Sequence, residues 1–539
     1  MSDAADSSVR NGPAAGPEQP TTAEAEGVDR VPGAHLVLLL SVFVVAACGL
    51  AYELLAGSLS TYLLGNSVMQ FSLVIGLFLS AMGVGSFLSR FVSRRLLRTF
   101  ILAEIAVGAV GGASALVLFF AFSMLDTYLP LLIGLSLVIG SLVGLEIPLL
   151  VRIVRAQGSL RAALGNVLAL DYLGALAASL LFPLLLLPWL GLVRAGFFFG
   201  LLNLAVAVVG LVVFRHQLAH RGRLELLAAV VGLGLLLGLL SGGRATTWLE
   251  DAVYEDEVLW AETTPYQRLV LTRWRDDIRL FIDGNIQFSS ADEFRYHEAL
   301  VHPAMGLLQR PQRVLLLGAG DGMAAREVLK YPQVEQIDLV DLDPAMTRLF
   351  ATRPMLVELN EGALSDPKVQ VHNADAQLFL EQSDRRWDLI VMDLPDPNNE
   401  SLGKLYTRSF FRLAAKHLTP RGILVTQATS PFYATDAYWC IFNTLVATTL
   451  TGELGRLHVV GYHVNVPSFG EWGFAMASPQ PLHPEHSALR VPTRFLTPEL
   501  LPTLFVFAKD IAHRDTPINR LGNQILVKLY ESGYRRYNR

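Results

Sequence analysis

Carboxylates placed where strands should end carry most of the chemistry legible in this chain. In RVLLLGAGDGMAAREVLKYPQVEQIDLVDLD, residues 313–343, the apolar run Val314 to Leu317 predicts a buried parallel strand. Gly318, Gly320 and Gly322 then allow a tight turn into a helix from about Met323, the kind of turn that cradles a nucleoside. A second strand, Ile337 to Val340, ends on Asp341, where a carboxylate can take both hydroxyls of a ribose. Asp321 stands inside the glycine turn itself. Beside the zwitterionic tail of S-adenosylmethionine it would repel the tail's own carboxylate, whereas the decarboxylated compound presents a plain ammonium that it can pair with. The alternative for Asp321 is a helix N-terminal acid favoured by the macrodipole. Asp375, at the end of a third strand, suits an adenine amino group or an N-cap, with Ala376 beside it.

The stretch DLIVMDLPDP places Asp393 and Asp396 at the end of a fourth strand. An alkyl ammonium must lose a proton before its nitrogen can attack carbon, and a nearby carboxylate can both hold the cation and accept the proton. Alone, DLPDP also reads as a strand-ending turn.

The elements needed to position these acids follow from the same stretch of chain. Strands expected at 314–317, 337–341, 369–372, 388–393 and 422–427 alternate with helical segments. That is the pattern of an α/β Rossmann-like, class I methyltransferase-like, doubly wound parallel sheet, which binds ligands at the carboxyl ends of its strands. In front of it, Tyr266 to Trp274, Ile278 to Asp283 and Ile286 to Ser289 read as a small antiparallel sheet, followed by a helix from Glu293 to Leu308. Gln267 and Asp283 are polar within apolar runs; His297 and Glu298 are adjacent and so face different sides of the helix.

The first half of the chain differs in kind. A mean hydropathy of +0.41 and 17% charged residues over 539 residues set the whole chain apart from a soluble enzyme, and the apolar excess is concentrated in this first half. Residues 1–34 read as a disordered tail without a cleavable signal peptide, and 35–243 as an α-helical transmembrane bundle. Its seven apolar stretches, centred near Val44, Phe78, Val110, Val138, Leu180, Leu204 and Leu235, are each long enough to cross a bilayer. Residues 244–308 are expected to form a linker and the small sheet, and 309–539 the Rossmann-like domain. Four acids, Glu53, Glu104, Glu146 and Asp171, lie within the spans, where they serve either as helix glue or as a cationic path or regulatory amine site.

Arginines cluster at 90–98, 152–161 and 215–223, against Arg194 alone on the alternate side, which by the positive-inside rule puts those loops in the cytoplasm. Seven spans would then leave the catalytic half outside, although its nucleoside is made inside. The expectation is a multi-pass protein of the cell (inner) membrane with a cytoplasmic catalytic domain, one segment failing to cross, and a re-entrant piece around Glu53 within His35 to Gly65. Cys48 and Cys440 imply no disulfide framework and no metal site. A net charge of -5 offers no nucleic-acid footprint.

Read together, PYQRLVL, LFIDGNIQFSSADEFRYHEALVHPAM, LLLGAGDGMAAREVLK, LVDLDP, NADA, VMDLPDP, LYTRSFFRLAAKHLTPRGILVTQATSPF and NVPSFGEWGF resemble the polyamine aminopropyltransferases, the spermidine synthase family, over roughly residues 260 to 480. The first half resembles the membrane-fused branch of that family in CGLAYELLAGSLSTYLLGNSVMQFS. The resemblance implies aminopropyl transfer from decarboxylated S-adenosylmethionine, as co-substrate, to a diamine such as putrescine. Methylthioadenosine would be released, with neither metal nor prosthetic group, and a homodimer is compatible with it. By the same resemblance Gln267, His297, Gly318, Gly320, Asp321, Asp341, Asp375 and Ala376 would line the nucleoside pocket. Asp393 would accept the proton and Asp396 hold the amine, with Tyr296 and Phe469 beside it. The chain departs from the family pattern at Leu394 and Pro395 between the aspartates, in NNESLGK after them, at Phe469 in place of a tyrosine, and at Asp341 in place of a glutamate. Two other classes compete: a small-molecule methyltransferase on the same sheet, and a membrane transporter or sensor whose soluble half only binds.

Overall fold

A computed structural model describes residues 34–64, 67–93, 95–125, 128–155, 160–254, 256–450 and 455–537. The expected disordered tail, apart from Ala34, and Arg94 of the first arginine cluster lie outside the described residues.

The apolar half forms α1 (Ala34–Leu64), α2 (Ser67–Leu88), α3 (Leu96–Leu125), α4 (Tyr128–Arg155), α5 (Leu160–Leu181), α6 (Leu187–Val213) and α7 (Arg221–Tyr254). Among the described residues six helices are long and apolar enough to cross a membrane, the fifth being a 50-residue run, Leu164–Val213. This run joins α5 and α6 through a π-helical turn at Phe182–Leu186 and is broken at Gly191, whose φ of 71° no other residue type adopts cheaply. A single pass needs about 20 residues, so each side of Gly191 suffices for one and the seven apolar stretches appear as seven helical segments. Among the described residues no re-entrant piece appears: α1 runs unbroken from Ala34 through Glu53 to Leu64.

Side-chain contacts order the two ends of the bundle. Arg152 at the end of α4 donates to the carbonyl of Ser89 just after α2, and a Cβ on Gly210, late in α6, would touch Ile101, early in α3. The arginine-rich loops therefore gather at one end. At the other, Ser60 of α1 pairs with Tyr128 at the start of α4, Tyr62 with Tyr254 at the end of α7, and Arg194 lies against Gly243. The second end leads into the soluble half. If these helices cross a membrane, reporter fusions after Gly243 and at Ser93 are thus expected to report its opposite sides; the same side for both would mean that one helix does not cross.

The polar stretch expected as a linker is helical instead, since α7 runs on to Tyr254. The small sheet has four antiparallel strands rather than three, β1 (Glu257–Thr263), β2 (Arg268–Trp274), β3 (Asp277–Ile282) and β4 (Asn285–Ser289), in sequential order. Next comes α8 (Glu293–Leu307), whose Tyr296, Ala299 and Leu300 are buried in the core of the larger sheet. That sheet is built from β5 (Arg313–Gly318), β6 (Gln336–Asp341), β7 (Val369–Asn373), β8 (Trp387–Asp393), β9 (Leu418–Gln427), β10 (His458–Val466) and β11 (Gly470–Ser478).

Its order is β10-β11-β9-β8-β5-β6-β7, with β5 to β9 parallel. Val314 to Leu317 are fully buried, as a central parallel strand covered on both faces requires. The antiparallel hairpin of β10 and β11 extends the five parallel strands read from the sequence. Strand order reverses between β5 and β8, and Gly318 stands directly beside Asp393 there. In open sheets of this kind the crevice at such a reversal is where ligands bind.

Candidate active site

Backbone closeness sets the site first. A Cβ on Gly318 (φ 81°) would lie 2.0 Å from the carbonyl oxygen of Asp393, so only glycine lets β5 and β8 end side by side. A Cβ on Gly320 would lie 2.4 Å from Oδ2 of Asp341, the oxygen that accepts from the Gly320 N–H at 3.1 Å. The other oxygen of Asp341 accepts from the Asp343 N–H at 2.9 Å. Burial pushes the Asp341 carboxyl up to about 6 against these bonds.

Asp321 turns in the glycine loop to accept from the Met323 N–H at 2.9 Å, leaving Oδ2 facing His297 Nε2 at 3.8 Å. The imidazole is fixed from behind: Nδ1 donates to the carbonyl and to Oε2 of Glu293, each at 2.8 Å. Glu293 is in turn gripped through both oxygens by Arg326, each contact 2.9 Å. Burial works against a charged imidazole, yet the bond to Glu293 and the nearby Asp321 carry it up to about 9. Burial also opposes the charge on Glu293, but bonds from His297 and Arg326 hold it at about 2. His297 is thus an imidazolium at neutral pH.

Tyr296, the preceding residue on α8, donates to Oδ1 of Asp393 at 2.6 Å. Burial raises the Asp393 carboxyl to about 6, opposed by His297 and reinforced by Asp321. Phe469, in the β10–β11 turn, sets its ring 6.1 Å from that of Tyr296. Asp396 is held by Gln427 and Thr429, each at 3.3 Å, and by the Tyr530 hydroxyl; burial carries its carboxyl to about 6 despite them. The backbone of the DLPDP turn is pinned by Tyr406 and Gln427, which donate to the Leu394 carbonyl at 3.1 and 2.7 Å.

Gln267, from the loop before β2, reaches the crevice through Asp343, to which it donates at 3.1 Å beside Thr264 at 2.7 Å. Asp375 is the N-cap of the helix Ala376–Gln382: Oδ1 accepts from the Gln377 and Leu378 N–H groups, while Oδ2 faces Lys404 at 3.8 Å. Of its two readings, the capping one is what its hydrogen bonds express. On the surface His483, Glu485 and His486 bring three donor atoms within 4.8 Å of one another, but all three are exposed.

Several residues of this arrangement escaped the sequence reading. Asp343 had a signal, an acid directly before Pro344 at a helix start. Glu293 lies one helical turn before His297, which is suggestive only once His297 matters. Tyr530 had none, being contributed by a helix, Ile525–Tyr534, far along the chain. Gly533 of that helix packs where a Cβ would sit 2.7 Å from Ala434 Cα, and Asn519 just before it ties the carbonyls of Gly403 and Tyr406. If the Tyr530 hydroxyl positions Asp396, Tyr530→Phe should raise the acceptor KM about tenfold, the scale of one hydrogen bond to a charged group. Steady-state kinetics would show it, with nucleoside binding unchanged.

A reversal-point crevice edged by a glycine turn and an acid at the neighbouring strand end defines a fold of the Rossmann-like, class I methyltransferase-like type. Residues 293–484 match the Spermine/spermidine synthase domain. "Polyamine aminopropyltransferase 2" of Ralstonia nicotianae is 50% identical over 509 residues, covering 93% of this chain and 98% of that protein. The "Polyamine aminopropyltransferase" of Leptospira interrogans is 44% identical, covering 93% and 99%, and "Polyamine aminopropyltransferase 1" of Streptomyces coelicolor 39%, covering 94% and 96%. The chain belongs to the polyamine aminopropyltransferase family, and at these coverages the likeness takes in the helical half as well as the sheet.

Proposed function

We propose that this enzyme moves an aminopropyl group from decarboxylated S-adenosylmethionine to a diamine, with putrescine as the acceptor and spermidine and methylthioadenosine as products. The observation that supports it most is charge. Asp321, Asp341, Asp393 and Asp396 border one crevice, and His297 is the cation set against them. Such a surplus suits a guest that brings a sulfonium and an ammonium, and a second guest that brings two ammonium groups.

In this reading Asp341 takes the ribose, Gln267 is steered by Asp343, Asp375 and Ala376 stand at the adenine end, and Asp321 pairs with the aminopropyl ammonium. Asp396 holds the far ammonium of the diamine. Asp393, ionised at neutral pH and oriented by Tyr296, takes a proton from the near one. The freed nitrogen lone pair attacks the aminopropyl carbon bound to sulfur. As the new C–N bond forms, the C–S bond breaks and its pair returns to sulfur, giving neutral methylthioadenosine. No step requires a metal. Orientation of nitrogen, carbon and sulfur in line supplies much of the remaining rate.

The setting we propose is a bilayer, with lipid against the outward-facing Leu79, Leu184, Trp189 and Leu240. The catalytic half stands at the end of the bundle away from the arginine-rich loops. By the positive-inside rule that end is non-cytoplasmic, contrary to the cytoplasmic placement expected from where the nucleoside is made. An assay of the full-length protein with a panel of diamines tests the reaction: methylthioadenosine appearing with putrescine supports it. S-adenosylhomocysteine from S-adenosylmethionine would make the protein a methyltransferase, and binding without product a sensor or transporter.

A further inference from the structure

The helical half contains a polar cluster that no membrane anchor needs. Cys48 and Tyr52 of α1, Glu104 of α3, Glu146 of α4 and Asn203 of α6 are each 0 or 1% exposed. Both oxygens of each glutamate, the Tyr52 hydroxyl and both amide atoms of Asn203 have no hydrogen-bond partner. Tyr52 and Asn203 are able to donate, yet neither reaches a carboxylate.

These groups meet at one level of the bundle. Cys48 and Tyr52 are both within electrostatic reach of Glu104 and Glu146, as the two glutamates are of each other. The Tyr52 ring lies on α3, where a Cβ on Gly111 would sit 2.7 Å from Cζ. Gly108, one turn along α3 from Glu104, would place its Cβ 3.5 Å from that of Asn203. The Cys48 thiol donates to the carbonyl of Phe199, one turn before Asn203.

Among the described residues of the bundle no lysine, arginine or histidine is buried. Two carboxylates with no basic partner in an apolar bundle are too costly to leave charged and alone, so they are neutralised by protons or by a bound cation. Protonation would satisfy the charge, but it gives no reason for an amide, a phenol and four carboxylate oxygens to lie buried at one level of the bundle without bonding one another. A guest between them does. An organic ammonium fits the lining best: it donates to carboxylate, amide and phenol oxygens and is attracted by an aromatic face.

We propose that the helical bundle holds a second ligand site, built from Tyr52, Glu104, Glu146 and Asn203, that takes an alkyl diammonium ion, its two charges matching the two carboxylates. The choice of a diamine as guest rests on the reaction proposed above; the acidic site does not.

The test is equilibrium dialysis of the full-length protein in nanodiscs with radiolabelled 1,4-diaminobutane, in sodium chloride of physiological strength. Two bound equivalents per chain are expected for the native protein, and one for Glu104→Gln and for Glu146→Gln, with Glu104→Asp recovering part of the second. Unaltered methylthioadenosine binding checks that each variant is folded. Asp396→Asn should keep the bundle equivalent and lose the other, so a failed catalytic reading leaves one equivalent that still depends on Glu104. A single equivalent in the native protein, unaffected by Glu104→Gln and Glu146→Gln, would overturn the proposal. So would displacement of the Glu104-dependent equivalent by sodium alone, which would make the pair an inorganic-cation site.

Discussion

Asp393→Asn is expected to leave nucleoside binding nearly intact and to lower turnover roughly 100-fold or more, the scale of a lost general base. The asparagine keeps the volume and can still meet the Tyr296 hydroxyl, which donates to Asp393 at 2.6 Å, so the crevice keeps its shape and loses only the proton acceptor. The pH profile gives a second reading. Burial sets both Asp393 and Asp396 at about 6, above the ordinary carboxylate range. The charged forms do the work, so kcat/KM should be full at neutral pH and fall as pH drops through about 6. Asp341 titrates in the same range, so the wild-type limb is steeper than one proton, and in Asp393→Asn it should lose one proton of slope. Turnover within a few-fold of wild type at neutral pH, with the limb unchanged, would remove Asp393 from the proton path.

Asp321→Asn should weaken decarboxylated S-adenosylmethionine roughly 10- to 100-fold while changing methylthioadenosine little, because a charge-assisted hydrogen bond is worth about 1.5–3 kcal/mol and only the first ligand carries the ammonium. Asp321 has two jobs in the structure. One oxygen accepts from the Met323 N–H, which an asparagine oxygen also does; the other faces the crevice 3.8 Å from His297. The substitution therefore spares the turn and removes the charge. Calorimetry with both ligands separates the roles: equal losses for the two would make Asp321 a helix-capping residue and nothing more.

The acids at the strand ends were legible because chemistry and geometry coincide there. Val314 to Leu317 cannot be other than buried, the glycines after them mark a turn, and an acid at the end of a parallel strand reaches the edge where ligands sit. Asp321, Asp341, Asp393 and Asp396 follow from that reasoning. What was not legible is what holds them. The pairing of Asp343 with Gln267 and Thr264 joins two sheets, and that of Tyr530 with Asp396 joins segments more than a hundred residues apart, so no local pattern encodes them. Strand β1 was hidden for another reason: its first residues, Glu257 to Leu259, close a polar, acidic stretch that reads as a linker, and only pairing with β2 makes EVLWAET a strand. In the apolar half the break at Gly191 was readable as a gap between hydrophobic stretches, whereas the meeting of Glu104 with Glu146 depends on which helices pack.

The continuity of α7 has a mechanical meaning. Its last eleven residues, 244–254, extend beyond the apolar stretch as a stalk about 16 Å long, at 1.5 Å of rise per residue. The stalk is braced at its tip, where the Tyr254 ring lies 4.7 Å from that of Phe281 in β3 and its hydroxyl meets Tyr62 of α1. A stiff strut in place of a tether denies the catalytic half the freedom to tumble and fixes the height and bearing of its crevice over the end of the bundle. In the bilayer setting proposed above, substrate would then be met in a thin layer next to the lipid, so a flexible insert at Arg244 would alter the encounter geometry while leaving the chemical step untouched.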